Sequence, residues 1–507
     1  HVVKFIYTVE ELTDACANGG EYLLSTDLQL NDTITVSSGV EVTLYMNGKT
    51  IASTLSGTGN EDLFMVKGTR TVKNGTIELT ATQNQGWGSM STIFDLTEGG
   101  VVTLDTVAAE NKGGTDMNFV AHLNNWGTAT LNVTDSTLKA TYVAVRVFNS
   151  GYDMNNVTIK NSTLSTEGNA AFWVHNYTAA DFGTQEKADE QAKLLNFNLV
   201  GNTYIANKAA FRYGMTNAIY KNADGNQIVS STTELINAIK NAPVGKETVI
   251  LMADGNYDGD IAITVEALGA SGGDVVIKAM GENAVITGTV TLGYRNQGVG
   301  AAVYNANVTF DGVIFDHAES GKHSLYIQDV KSLTLINCTI IGDGEYGIDS
   351  ARGNATGTSK ITNCTFVNAG MQLLGNFATG LVIDGCTFNE SRINIQAGNG
   401  VTVQNCEFNN TLTAANVGDS FYAIRSNSTP ITVKNCEMNI DSELTEVATA
   451  QAKWYLLANR GTTNWTVDNV AVTLTDAALA QTELDITACT STGVINTTNL
   501  TVNGVAQ

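Results

Sequence analysis

Short apolar runs of alternating parity fill this chain, with little that carries a helical period. Runs of period two bury one side of a strand and leave the other side free. Two segments break the pattern. Thr8-Val9-Glu10-Glu11-Leu12 leads through Ala15 and Cys16 to Gly19-Gly20, and Ser231-Thr232-Thr233-Glu234-Leu235 leads through Ala238 and Ile239 to Pro243. Each opens on Ser/Thr-x-x-Glu, in which the two end residues satisfy each other's exposed amides. Each then carries a helical apolar stripe. Period two returns after both, at Tyr22–Leu24 and Val42–Leu44, then at Val249–Leu251 and Val275–Ile277. The chain reads as a duplication. Its boundary falls in the Asn-, Asp- and Gly-rich stretch Asn222–Gln227, giving domains at 1–224 and 225–507.

Within the second half one phrase recurs, at Leu333–Ile340, Ile361–Phe366, Leu381–Phe388, Val401–Phe408 and Ile431–Met438. Aligned on Gly312, Cys338, Cys364, Cys386, Cys406, Cys436 and Val470, its copies are 20–34 residues apart. The first half repeats it more faintly at Val102–Thr106, Thr130–Leu138 and Val157–Leu164. A repeat this short cannot bury its apolar face alone and must stack on its neighbours. The uneven period asks for corners that swell without breaking the stack, which a coil of parallel strands allows. A propeller blade needs about 40 residues and hairpin turns between paired strands, and a leucine-rich repeat needs its own ladder; neither pattern is present.

The Asn-Cys-Thr-Phe phrase, the opening helix and the run Leu251–Gly259 resemble right-handed parallel β-helix proteins of the pectate-lyase-like superfold. The resemblance spans nearly the whole chain. It implies an all-β protein: two tandem right-handed parallel β-helices, each with a short N-terminal capping helix. That superfold carries lyases, hydrolases, esterases, adhesins and phage tailspikes, so the resemblance leaves function open.

Composition agrees with this class. Hydrophobic residues at 43% exclude a disordered chain, and charged residues make up only 15%. The net charge of −23 repels phosphate backbones and argues against nucleic acid. No apolar stretch approaches the ~20 residues that span a bilayer. The start at His1 suggests a processed, secreted chain, so the expected location is extracellular or at the cell surface. Five of the seven cysteines share one register of the repeat, which predicts an inward column of small apolar side chains and not a disulfide framework. The asparagines before four of them (Asn337, Asn363, Asn405, Asn435) are expected to stack as an amide ladder at a left-handed corner.

Two stripes could carry chemistry. In the first half, period-two parity sets Asp95, His122, Arg146, Trp173 and Arg212 on the outward side of successive strands, with His175 two residues after Trp173. Planar aromatic and guanidinium groups on a flat sheet suit sugar rings and their hydroxyls, and the alternative is an ordinary solvated face. In the second half, Tyr326–Gln328, Gly347–Asp349, Asn394–Gln396 and Ala423–Arg425 form another stripe. Beside it stand Asp316, Glu319, Asp343, Glu345 and Asp349, with His317, His323 and Arg352. Paired carboxylates there could act on a glycosidic bond, or could be acidic corners of the coil. If the chain is an enzyme, Asp343, Glu345, Asp349, His122 and Arg146 are the candidate catalytic groups.

Ca2+ is the one cofactor the pattern leaves open. Asp254, Asn256, Asp258 and Asp260 match the first half of an EF-hand loop, but position twelve is Val265. A turn is the better reading. Familiar catalytic motifs are missing: neither proline sits in Arg-x-Pro-x-x-Arg, there is no Asp-Asp pair, and Gly269–Gly273 places its Gly-x-Ser-x-Gly before a strand instead of between strand and helix. Gln185–Lys193 reads as an inserted helix. The sequence therefore favours an adhesin-like protein that binds polysaccharide or host-surface glycan without turnover. A polysaccharide lyase or glycoside hydrolase is the alternative, and a structural stalk or tail fibre the third reading.

Overall fold

The computed structural model describes residues 3–55, 60–81, 89–114, 117–124, 128–149, 156–176, 196–215, 218–264, 273–293, 304–319, 321, 323–328, 330–344, 346–350, 357–410, 420–440, 453–475 and 484–507. The expected helix at 185–193 lies outside them. The chain divides into two compact units, His1–Ile228 and Val229–Gln507. Both are right-handed parallel β-helices.

Each unit opens with the helix its sequence announces. Helix α1 (Val9–Asn18) is capped by Thr8, whose side chain accepts from the Glu11 amide while Glu11 accepts from the Thr8 amide. It buries Leu12, Ala15 and Cys16 against the first coil. Helix α2 (Thr232–Lys240) is capped by Ser231 and buries Leu235, Ala238 and Ile239. In both helices the returning carboxylate also takes the residue before the cap: Glu11 accepts from the Tyr7 amide, and Glu234 from the amide and hydroxyl of Ser230.

Beyond the helices, strands stack in register and build the core as columns. In unit 1, Leu44, Val72, Leu104, Val133, Ile159 and Leu199 lie on successive strands of a 13-stranded sheet. Unit 2 has three strand columns per turn. One runs Ile250–Ile277–Phe310–Leu335–Ile361–Ile383–Val403–Val433–Val467. A second runs from Tyr257 through Phe366, Phe388 and Phe408 to Val472, with those three rings stacked at 4.8 and 4.7 Å. The third belongs to a nine-stranded sheet and holds Ile261, Val290, Leu325, Ile348, Met371, Ile393, Ile424 and Leu457.

The cysteine column forms at the corner between the first two. Cys338, Cys364, Cys386, Cys406 and Cys436 are free thiols, each no more than 2% exposed. Cys436 stands opposite Val470 on the next rung. One alignment shifts by a residue. Asp311 pairs with Ile336 and Ile314 with Thr339, so Val313, not Gly312, faces Cys338. Gly312 instead shares the turn position of the asparagines. Asn337, Asn363, Asn405, Asn435, Asn469 and Asn499 have φ of 52–56°, and Gly312 and Gly385 sit there at 73° and 65°. Only Gly and Asn enter this left-handed region at low cost. Their amides form the ladder: Asn435 donates to Asn405 at 3.3 Å and Asn469 to Asn435 at 2.9 Å.

The column makes a direct expectation. Maleimide added to native protein should label Cys489, which is exposed, and leave the five column thiols protected. Cys386→Ser should cost about 1 kcal/mol, because the smaller hydroxyl packs the column less well although it can donate to the Asp384 carbonyl that the thiol faces at 3.5 Å. Peptide mapping that finds the column labelled as fast as Cys489 would refute the burial.

Candidate functional site

The stripe of unit 1 is in register but sealed. Asp95, His122, Arg146, Trp173 and Arg212 do stand opposite one another on successive strands, and Phe148 faces His175. Their side is the one turned away from the core, as parity requires. Exposure is where the reading fails: Asp95 is 6% exposed, His122, Arg146 and Trp173 1%, His175 0% and Arg212 9%. A second apolar layer of Met117, Phe119, Val143 and Trp173, flanked by Met90 and Tyr142, covers this face. The signal was present in the sequence. Asn118–Leu123 (NFVAHL) and Ala170–Asn176 (AAFWVHN) are apolar on both parities, the mark of a strand buried on both sides.

Inside the seal the groups are locked together. Arg146 donates to Nδ1 of His175 at 2.6 Å and to the Met90 sulfur at 3.1 Å. A guanidinium only donates, so Nδ1 of His175 is the acceptor and its proton rides on Nε2. The guanidinium carbon lies 5.3, 4.8 and 5.0 Å from the rings of Phe119, Phe148 and Trp173. Trp173 stacks on His175 at 4.7 Å and 8°, takes Arg212 at 4.3 Å, and donates to the Gly214 carbonyl. No ring face is left for a sugar. His122 Nδ1 stands 3.0 Å from Asp95 Oδ1, misaligned for a good hydrogen bond. Burial pushes the His122 pKa down, with Asp95 opposing and the Arg146 charge adding to it. Burial, then the charges of Arg146, Arg212 and His122, push His175 down to about 3. Burial also holds Arg146 down to about 9.

Sequence reasoning missed Asp62, on the strand Glu61–Val66 opposite Thr92. It is 7% exposed, and burial followed by the negative charge of Asp95 raises its pKa to about 8. The two shifts act on stability in opposite senses. Neutral His175 stabilises unit 1 above its unfolded pKa near 6.5, and that stability is lost as pH falls toward 3. Protonated Asp62 stabilises below its unfolded pKa near 3.8, and that contribution is lost as pH rises toward 8. Between 3.8 and 6.5 the slopes oppose; from 6.5 to 8 only Asp62 acts. Stability of unit 1 should therefore fall over that last interval by about 1.4 kcal/mol per pH unit at most. Asp62→Asn should flatten the decline in urea melts between pH 6.5 and 8, and an unchanged slope would contradict the buried acid.

The stripe of unit 2 is half open, on the nine-stranded sheet. Strands Leu325–Ile327, Tyr346–Ser350, Gly370–Leu373, Ile393–Ile395 and Ser420–Ser426 present Tyr326, Asp349, Gln372, Asn394 and Arg425 in one column. The register differs from the expected one by two residues. Leu325, not Ile327, pairs with Ile348, and Ile393, not Ile395, pairs with Ile424. A shift of two keeps every side chain on its face. The skipped rung, Gly370–Leu373, supplies Gln372.

These side chains touch in series. Gln372 reaches toward Asp349 at 3.5 Å, Gln396 donates to Gln372 at 3.2 Å, and Arg425 Nε donates to Asn394 at 3.1 Å. Asn394 in turn donates to the Tyr346 hydroxyl, which lies 3.2 Å from that of Tyr422. Gly370 makes room for this: a Cβ there would stand 3.2 Å from Arg392 Cγ and 3.3 Å from the Tyr346 ring.

His323 joins the row at one end, its side chain one-third exposed. Its Nδ1 lies 2.7 Å from the Tyr346 carbonyl. A carbonyl only accepts, so Nδ1 carries the proton and Nε2 is turned to Asp349 Oδ2, 3.4 Å away. Burial raises the Asp349 pKa, while the His323 charge and the Gln372 amide oppose the rise. The His323 ring stacks on Tyr326 at 14°. An imidazole and a carboxylate beside a row of amide, phenol and guanidinium groups can exchange a proton with a bound sugar.

The acidic group expected beside the row does not assemble as a whole. His317 is buried and bonded to the Gly288 carbonyl, Asp316 caps the Ala318 amide, and Glu319 points to solvent. Asp343 lies in the turn next to Gly321, and Glu345 and Arg352 lie outside the described residues. Of that set His323 and Asp349 meet.

The carboxylates of the Ca2+ candidate are taken up by turns. Asp254 accepts from the Asn283 amide, Asp258 from the Thr287 hydroxyl and Asp260 from the Thr289 amide, each tying its own corner to the next rung. Asn256 sits in the short strand Gly255–Tyr257. Among the described residues no three metal-ligating side chains converge, and no helix is long and apolar enough to cross a membrane.

Residues 300–443, which contain the whole row from His323 to Arg425, match the family described as right handed beta helix region. No curated protein matches the chain. Among solved structures the chain is similar to an alginate lyase from Paenibacillus sp. str. FPU-7, at 15% identity and a TM-score of 0.28, over 55% of this chain and 95% of the lyase.

Proposed function

We propose that the protein is a polysaccharide-active β-helix that binds a glycan along the nine-stranded sheet of unit 2 and cleaves it by proton transfer at His323 and Asp349. The carrying observation is that pair: an imidazole fixed by the Tyr346 carbonyl, accessible on one side and 3.4 Å from a buried carboxylate. With the ring neutral, Nε2 takes the proton from the sugar carbon next to the one that bears the glycosidic oxygen; the C–H electrons form a C=C bond as that C–O bond breaks, and the imidazolium returns the proton to the departing oxygen. Asp349 orients the ring and stabilises its cation. Among the described residues the row carries one carboxylate, whereas hydrolysis by paired carboxylates needs two; this favours elimination over hydrolysis. An extracellular or surface location suits a polymeric substrate.

Binding without turnover loses its best support because Trp173 offers no free face. A panel of neutral and acidic polysaccharides, each read for retention, unsaturated ends and reducing ends, separates the readings. New chain ends on at least one polymer are expected. Retention with no new ends on any of them would leave a binding protein and sink the enzymatic reading.

A further inference from the structure

We infer that Arg425 is an oxyanion-recognition subsite, so that the polymer bound along this sheet is acidic and is held about three rungs from the site of cleavage. The inference rests on the proposed polysaccharide role and adds to it the substrate class and a minimum length. Its basis is the way Arg425 is mounted. One edge of the guanidinium is committed, with Nε donating to the buried Asn394 at 3.1 Å. One face is committed as well, with the guanidinium carbon 4.3 Å over the ring of Tyr422, itself only 1% exposed.

Both supports are braced. Asn394 donates to the Tyr346 hydroxyl, that hydroxyl touches Tyr422, and Arg392 packs 5.0 and 5.3 Å from the two rings. The plane of the guanidinium is therefore fixed before any ligand arrives. Its two terminal amino groups have no acceptor among the described residues, and Arg425 makes no ion pair there.

A fixed plane with two open parallel N–H donors is the geometry that receives a carboxylate or a sulfate bidentately. The one carboxylate of the row, Asp349, is three strand steps away along Gln372 and Asn394. At about 4.8 Å per step that is roughly 14 Å, beyond the ~8 Å screening length at physiological salt. Asp349 therefore does not neutralise Arg425. In a chain of net charge −23 a cation left open on a sheet face is also the means by which a polyanion could be held at all. On a polysaccharide the matching group is a uronic acid carboxylate or a sulfate ester. The separation places it about three sugar units from the His323–Asp349 pair.

The test measures binding of three soluble polymers (a polyuronate, a sulfated polymer of neutral sugars and an uncharged polymer) to the full chain at two salt concentrations, beside the cleavage assay. The wild-type protein should bind one of the charged polymers with an affinity that falls with salt. Arg425→Gln should weaken that binding at least tenfold, leave the uncharged polymer unaffected and reduce the salt dependence. Arg425→Lys, which keeps charge without the fork, should recover only part of the loss. Arg425→Met keeps the packing on Tyr422, and an unchanged melting temperature separates a lost contact from a lost fold. Preference for the polyuronate assigns the carboxylate, and preference for the sulfated polymer assigns the ester. Unweakened binding of the charged polymer by Arg425→Gln overturns the inference. Cleavage of only uncharged polymers also overturns it, and leaves a polysaccharide-cleaving role by hydrolysis in place of elimination. Arg425-dependent binding with no cleavage of any polymer leaves the subsite standing and removes the enzymatic role.

Discussion

His323→Ala should lower the rate of polysaccharide cleavage by roughly 10²–10⁴-fold, the usual contribution of a positioned acid–base group, while glycan retention changes little. The argument is geometric. Nδ1 is occupied by the Tyr346 carbonyl, so the ring cannot turn, and Nε2 is the atom left for chemistry. The side chain is one-third exposed, so its removal should not unfold the coil. Asp349→Asn should act in the same direction, because a neutral amide cannot stabilise the imidazolium, and the double variant should be little worse than either single one. Cleavage at a wild-type rate by His323→Ala would take the chemistry away from this row.

How much of this was legible in the sequence depends on the range of the interaction involved. Strand parity, the capping helices and the cysteine column follow from residues a few positions apart and from repetition, and the structure has them in those places. Registers came through up to a slip. Gly312 was aligned with Cys338 because the repeat there lacks both Asn and Cys, yet its φ of 73° shows that it replaces the turn residue. Ile327 and Ile395 were aligned two residues off, because rungs of unequal length leave parity as the sole guide. What parity cannot state is whether an outward side chain meets solvent. Asp95, His122, Arg146 and Trp173 were placed on the correct side and assigned the wrong environment, since the covering layer of Phe119 and Val143 is set by three-dimensional packing. The Asp62 shift arises from Asp95 on the neighbouring strand and from burial, and neither is visible in a local window. The open fork of Arg425 depends on Asn394, Tyr346 and Tyr422, drawn from three rungs.

Trp173→Ala should destabilise unit 1 by about 3–5 kcal/mol, the range for removing a large aromatic side chain from a core. The outward parity of the strand would suggest an exposed platform whose loss spares the fold. Burial at 1% decides otherwise. The indole fills the layer formed with Met117, Phe119 and Val143, donates to the Gly214 carbonyl at 2.8 Å, and separates His175 from Arg212. Alanine leaves a cavity, an unpaired carbonyl and two less well packed polar groups in a sealed space. For a unit of this size the expected fall in melting temperature is on the order of 10 °C. Arg146→Met should destabilise as well, because it leaves Nδ1 of His175 without its donor in a sealed space. Loss of stability in both variants identifies the layer as part of the fold of unit 1. If Trp173→Ala kept its melting temperature and lost glycan binding instead, the face would be open in solution and the sugar-binding role would return to unit 1.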